Sequence, residues 1–132
     1  MILDIDNFKK INDTWGHPVG DMVIMAIVDI IKRNIRDDDI FSRLGGEEFG
    51  LILKNISLND SQYFGMRICD VVKRETGEGN KYNIPRTTTV SIGGAYIYDG
   101  IYLPSQIVKT ADGALYNIKR IGKNNCLIKE MI

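Results

Sequence analysis

The chain predicts an α/β sandwich, with a mixed, mostly antiparallel central sheet and helices packed against it. Three observations carry this expectation. Short apolar or β-branched runs alternate with longer stretches of helical periodicity, in the order strand, helix, helix, hairpin, helix, strand, helix, strand. Gly45-Gly46 stands between the apolar runs Ile40-Phe41 and Phe49–Leu53, the pattern of a hairpin whose turn needs positive φ angles. With 132 residues, 44% hydrophobic and 26% charged, the chain is one domain able to bury a real core.

Each element has a local reason. Residues 1–6 read as a buried strand, and Phe8 to about Asp13 as a short helix. Trp15–Gly20, punctuated by two glycines and a proline, reads as a loop that includes His17 as a structural residue. Asp21 is an N-cap candidate for a helix to about Ile35, with apolar residues at Val23, Ile24, Ile27, Ile30, Ile31 and Ile35. The hairpin strands fall at 40–44 and 49–54. A second long helix spans about Asn59–Thr76, with Ser57 or Asn59 as its cap, and Gly77–Asn80 is a turn. Thr87–Ile97 is β-branched and strand-like. A last helix covers roughly Ser105–Ile121, stopped by Gly122, before a strand at Cys126–Lys129. Trp15, Met22 and Met25 read as core.

Composition narrows the function classes. Seventeen basic residues balance seventeen acidic ones, so no global field draws the chain to nucleic acid or an anionic membrane. No apolar run approaches the roughly 20 residues of a membrane span, and Asp4 and Asp6 interrupt any leader-like start. Cys69 and Cys126 form no metal or disulfide pattern and read as buried, reduced thiols, consistent with a cytoplasmic chain. Opening directly in a strand, the chain reads as a fragment of a longer protein.

The chemistry-bearing residues cluster at predicted element ends. If the first strand neighbours the hairpin, Asp4 or Asp6 and Glu47 can converge on a hard cation such as Mg2+, which takes one or two carboxylates, water and substrate phosphates. Asn7, Phe8 and Lys9 open a helix whose free N–H groups suit phosphate. Lys119 and Lys123, four apart at a helix end, can reach terminal phosphates.

Asp4–Asp21, Arg43–Phe49, Thr89–Gly93, Ala111–Lys119 and Gly122-Lys123-Asn124 resemble, in order and over nearly the whole chain, the catalytic domain of the GGDEF-family diguanylate cyclases. The resemblance implies a palm-like nucleotide-cyclase fold. It also implies that two GTP molecules are joined into cyclic di-GMP with pyrophosphate release, by a homodimer using Mg2+ or Mn2+. It assigns the metals to Asp4, the Ile5 carbonyl and Glu47, and places Glu48 near the reacting 3′-hydroxyl. Gly45 and Gly46 allow close backbone approach. Asn7, Phe8 and Lys9, with Lys119 and Lys123, would hold the β- and γ-phosphates. Asn12 and Asp21 would read guanine, whose N1–H and N2–H2 a carboxylate can accept.

Arg36 and Asp39 form an RxxD pair that, with Arg67, matches the family's inhibitory site for its product. Two positions depart from the commonest pattern: Glu47 replaces Asp, and Lys123 stands where Arg is usual. The family also carries a helix and an Asp-containing motif before this strand, and normally an upstream sensor or receiver domain. The alternative reading is a catalytically silent GGDEF-like module that binds GTP or cyclic di-GMP; the intact Asp4, Glu47 and Glu48 argue against it.

Overall fold

The computed structural model describes residues 1–132. Its elements are β1 (Ile2–Ile5), α1 (Phe8–Trp15), α2 (His17–Lys32), β2 (Ile40–Gly45), β3 (Glu48–Ile52), α3 (Leu58–Glu75), β4 (Val90–Tyr96), α4 (Pro104–Ile121) and β5 (Cys126–Glu130). One five-stranded sheet has the order β2-β3-β1-β4-β5. Every pairing is antiparallel except β4–β5. That exception follows from α4, which provides the crossover a parallel pair requires. The expected mixed, mostly antiparallel sheet is therefore the observed one.

Alternation along β1 sorts the two faces. Leu3 and Ile5 are buried with Val23, Ile27, Ile30 and Ile31 of α2, Ile68 and Val72 of α3, and Phe49 and Leu51 of β3. Each such side chain contributes about 1.5–3 kcal/mol when fully buried. Ile2 turns the other way and joins Ala111 and Leu115 of α4 in a smaller cluster. Asp4, two residues on, shares the face of Ile2, so it looks toward α4. The tight approach of α4 depends on Gly93, where a Cβ would lie 2.2 Å from the Leu115 nitrogen and 2.4 Å from the Ala111 carbonyl oxygen.

Several boundaries differ from expectation, each for a local reason. His17–Gly20 is the first turn of α2 rather than loop: Gly16 takes the N-cap position at φ 89°, and Pro18 sits in the first turn, where its missing N–H costs nothing. Asp21 is therefore not an N-cap. The helix ends at Lys32, short of Ile35. Thr87–Thr89 lies outside β4 because Thr88 is engaged by a side chain: its N–H donates to the Thr76 hydroxyl (2.9 Å), which donates to its carbonyl (3.0 Å). Ser57 caps α3, accepting from the Asp60 N–H at 3.0 Å. Trp15 and Met25 are not core; they are 37% and 71% exposed, because both fall outside the buried stripe of α1 and α2. Cys69 and Cys126 are buried free thiols, and burial pushes both up to about 12. No helix is long and apolar enough to cross a membrane.

Candidate active site

The end of β1 lies against the hairpin turn, as the carboxylate pairing required. Asp4 is directly opposite Glu48 in the β1–β3 register, and the Ile5 N–H donates to the Glu47 carbonyl at 3.2 Å. The turn itself is shifted from the expected Gly45-Gly46. A register shift between Arg43 and Gly45 keeps Gly45 in β2, and Gly46-Glu47 becomes the tip. Gly46 at φ 48° supplies the left-handed residue. Glu47 thus belongs to the turn and not to an alternating strand. Arg43 holds this tip, donating from Nε (3.0 Å) and Nη2 (2.8 Å) to the Gly46 carbonyl. In the sequence, Arg43 is marked as a candidate only by its place two residues before Gly45-Gly46.

Charge is concentrated at this corner. Burial, with the neighbouring Glu47 and Asp6 charges, holds the Asp4 carboxyl above the usual carboxylate range, and Lys119 only partly opposes this. Glu48 is raised by its own burial and by Asp4, Asp112 and Glu47. Asp112, on α4, is a second group absent from the expected site. Lys119 on α4 places Nζ 2.9 Å from Asp4 Oδ1 and 2.8 Å from Asp6 Oδ1. Burial works against the Lys119 charge, but the two carboxylates outweigh it and raise its affinity for the proton.

Asp4 and Asp6, equivalent by spacing, are distinguished by their partners. Asp6 accepts from the Thr89 and Ser91 hydroxyls (2.7 Å each), the Asn124 N–H (3.1 Å) and Lys119. A carboxylate offers about four acceptor positions, so Asp6 is saturated by protein. Asp4 keeps capacity for a further partner.

The second lysine arrives differently from expectation. Lys123 lies beyond the end of α4 in the turn after Gly122, at φ 63°, rather than on the helical face of Lys119. Its Nζ donates to Asn7 Oδ1 at 2.7 Å. Asn7 is itself left-handed (φ 57°) and forms the N-cap of α1, ahead of Phe8 and Lys9. Both lysines therefore meet the helix N-terminus and the strand end at one corner.

Between α1 and α2, Asn12 Oδ1 is buried without a hydrogen-bond partner. Such an orphan acceptor is costly unless a ligand completes it. Gly20 makes room for it: a Cβ there would stand 1.9 Å from Asn12 Oδ1 and 3.3 Å from the Phe8 ring. Asp21 follows immediately with an exposed carboxylate. The resemblance assigns Asn12 to guanine; on that assignment Gly20→Ala, which displaces the Asn12 amide, is expected to weaken GTP binding about tenfold, the scale of one lost hydrogen bond to a base. Titration calorimetry checks it; unchanged GTP affinity would separate Gly20 and Asn12 from base recognition.

A separate pocket of about 330 Å³ is lined by Arg36, Asp39 and Arg67, together with Asn34, Asp60 and Phe64. Asp39 accepts from the Arg36 N–H (2.8 Å) and guanidinium (3.3 Å), while Arg36 Nη2 also donates to the Lys54 carbonyl at 2.6 Å. Arg67 donates to the Asn34 carbonyl (3.3 Å) and lies over the Phe64 ring. The three residues expected to act together are brought together.

The donor set suits a hard divalent cation. Asp4, Glu47 and Glu48 crowd negative charge beside exposed turn backbone, while no three His, Cys, Asp or Glu side chains gather into a group that could hold a metal on its own. A cation here would draw its other ligands from main chain, water and substrate, as Mg2+ does. An acidic strand end faced by two lysines and a helix N-terminus, on an antiparallel sheet, defines the class: a domain chemically suited to a cation and a polyphosphate. The comparisons make the class specific. The family model described as diguanylate cyclase, GGDEF domain, matches residues 1–125, and the chain belongs to that family.

Among relatives, the probable diguanylate cyclase DgcT of Escherichia coli K12 is 45% identical over 132 residues, covering 100% of this chain and 29% of DgcT. The chain spans less than half the length of the curated relatives it matches, from 22% to 42% among the most similar. Among solved structures, the active GGEEF domain of a diguanylate cyclase from Vibrio cholerae is 30% identical, with a TM-score of 0.85 over 99% of this chain and 81% of that one. The GGDEF domain of Caulobacter crescentus DgcB, solved in complex with c-di-GMP, is 31% identical, with a TM-score of 0.84 over 96% and 74%.

Proposed function

We propose that this chain is the catalytic domain of a diguanylate cyclase, which condenses two GTP molecules into cyclic di-GMP across a homodimer. The observation that carries the reading is the single corner where Asp4, Glu47 and Glu48 meet Lys119, Lys123 and the N-terminus of α1. Members of the family generally use a divalent metal. Asp4, the Ile5 carbonyl and Glu47 would hold Mg2+ or Mn2+, which neutralises phosphate charge and acidifies an attacking hydroxyl.

The chain's own groups divide the remaining work. Lys119, Lys123 and the backbone around Asn7, Phe8 and Lys9 receive the β- and γ-phosphates at the positive end of α1. Asn12 and Asp21 accept the guanine edge, and the orphaned Asn12 oxygen is satisfied when they do. Glu48, whose affinity for a proton is raised by burial and by the neighbouring Asp4, Asp112 and Glu47 charges, receives the proton of the 3′-hydroxyl. A new bond forms from that oxygen to the partner substrate's α-phosphorus, the bond from that phosphorus to the β-phosphate bridge breaks, and pyrophosphate leaves.

The test is to fuse the chain to a dimerising coiled coil, supply GTP and Mg2+, and separate products by chromatography. Cyclic di-GMP and pyrophosphate are expected. GTP binding without product would sink the enzyme reading and leave a nucleotide-binding module.

The Arg36–Asp39–Arg67 pocket is the proposed inhibitory product site, with the arginine forks available to guanine and phosphate. Arg36→Ala is expected to raise the product concentration needed for half-inhibition about tenfold or more, since a charge-assisted pair is lost, while initial turnover stays near wild type. Progress curves with added cyclic di-GMP measure both; unchanged inhibition would defeat the assignment.

A further inference from the structure

Asp6 is a buried charge that the proposed chemistry leaves without a task. Its side chain is 1% exposed, yet it is neither a spare ligand nor an ordinary core residue. Burial opposes its charge, but the donors from Lys119, Ser91 and Thr89 outweigh that and hold its carboxyl below the usual range. The socket draws on four separate places: Thr89, just before β4, Ser91 within it, Lys119 on α4, and Asn124 in the turn beyond α4.

That turn is unusual. Gly122, Lys123 and Asn124 have successive φ values of 136°, 63° and 48°. Left-handed non-glycine residues persist only where their surroundings hold them. Here the Asn124 N–H is held by Asp6 Oδ2 (3.1 Å) and Ser91 Oγ (3.2 Å), and the Lys123 N–H by the Ile118 carbonyl (3.0 Å). The result aims Lys123 at Asn7.

We infer that Asp6 is a positioning residue for the polyphosphate end of the substrate, anchoring Lys119 directly and Lys123 through the Gly122–Asn124 turn. The inference rests on the nucleotide reading above. Lys119 is shared between Asp4 and Asp6, and only Asp4 has capacity for another partner. When Asp4 engages a cation, Asp6 is the contact that keeps Lys119 in the corner. The lysines then act as a preset pair, so the expected signature is specific to the β- and γ-phosphates.

The experiment compares GTP and GMP binding to the chain by calorimetry, with Mg2+ present, for wild type and Asp6→Asn. The variant retains the shape but loses the charge that pairs with Lys119. GTP affinity is expected to fall about tenfold or more, the scale of a lost charge-assisted bond, with GMP affinity unchanged. A merely structural role would lower both together, and that result, or no change in either, overturns the inference. Ser91→Ala, which removes one donor to Asp6 Oδ1 and one acceptor of the Asn124 N–H but keeps the Asp6 charge, is expected to give a smaller loss confined to GTP. It decides the matter where Asp6→Asn does not fold. Wild-type chain that binds neither nucleotide defeats the nucleotide reading itself. Wild type that prefers GTP, with variants that keep the full preference, defeats the role of Asp6 alone.

Discussion

With Glu47 as the proposed cation ligand, Glu47→Gln is expected to lower cyclic di-GMP formation by the dimerised chain about a thousandfold, because a lost metal carboxylate forfeits several kcal/mol of transition-state stabilisation at about 1.4 kcal/mol per decade. The substitution is nearly isosteric at the tip of the β2–β3 turn. It leaves the Ile5 N–H bond to the residue 47 carbonyl in place and removes one of the charges that raise Asp4 and Glu48. Thermal stability is therefore expected to hold or rise slightly. Product chromatography, paired with Mn2+ titration, separates the outcomes: full turnover with unchanged metal affinity would take Glu47 out of the cation site.

Gly93→Ala is expected to produce the largest loss of stability of any single methyl added to this fold. The new Cβ would meet the Leu115 nitrogen at 2.2 Å, the Ala111 carbonyl oxygen at 2.4 Å and the Leu115 Cα at 2.7 Å. All three are backbone atoms, so no side chain can rotate away, and α4 must lift from β4 as a unit. Overpacking usually costs about 1–3 kcal/mol, and this case falls at about 3 kcal/mol or beyond. For a domain of this size that lowers the melting temperature by on the order of 10 °C. Lys119 moves with α4, so its contacts with Asp4 and Asp6 loosen as well. A melting temperature within about 2 °C of wild type would show that the helix rides on the sheet less tightly than this geometry requires.

Where the sequence was legible, the signal was periodic or chemical. The stripe Val23, Ile27, Ile30, Ile31 marks the buried face of α2, and β1 shows its alternation in Leu3 and Ile5. Ser57 before α3 and Gly122 after α4 mark their ends correctly. Misreadings came where two rules competed. Asp21 looked like a cap because Gly16, Pro18 and Gly20 looked like loop, yet proline in a first turn favours the helix. Gly45-Gly46 looked like the whole turn until the shift at Arg43–Gly45 moved the tip onto Glu47.

The candidate site divides in the same way. Residue types and spacing pointed to Asp4 or Asp6 with Glu47 and to Lys119 and Lys123, because each chemical task needs a particular functional group, while the family resemblance added Glu48, Asn12 and Asp21. Spacing did not separate Asp4 from Asp6; the resemblance named Asp4, and the physical basis of that choice lies in the packing. It depends on which carboxylate meets Thr89, Ser91 and Asn124, residues more than 80 positions away. Arg43, Asp112 and the room that Gly20 leaves for Asn12 were likewise decided by packing. By itself, then, the sequence determined the elements, the family and the chemical inventory of the hairpin and strand ends, because periodicity and side-chain chemistry are local. Only the tertiary structure decided which groups are already satisfied and which remain free, because saturation of a carboxylate or an amide depends on neighbours brought together from distant parts of the chain.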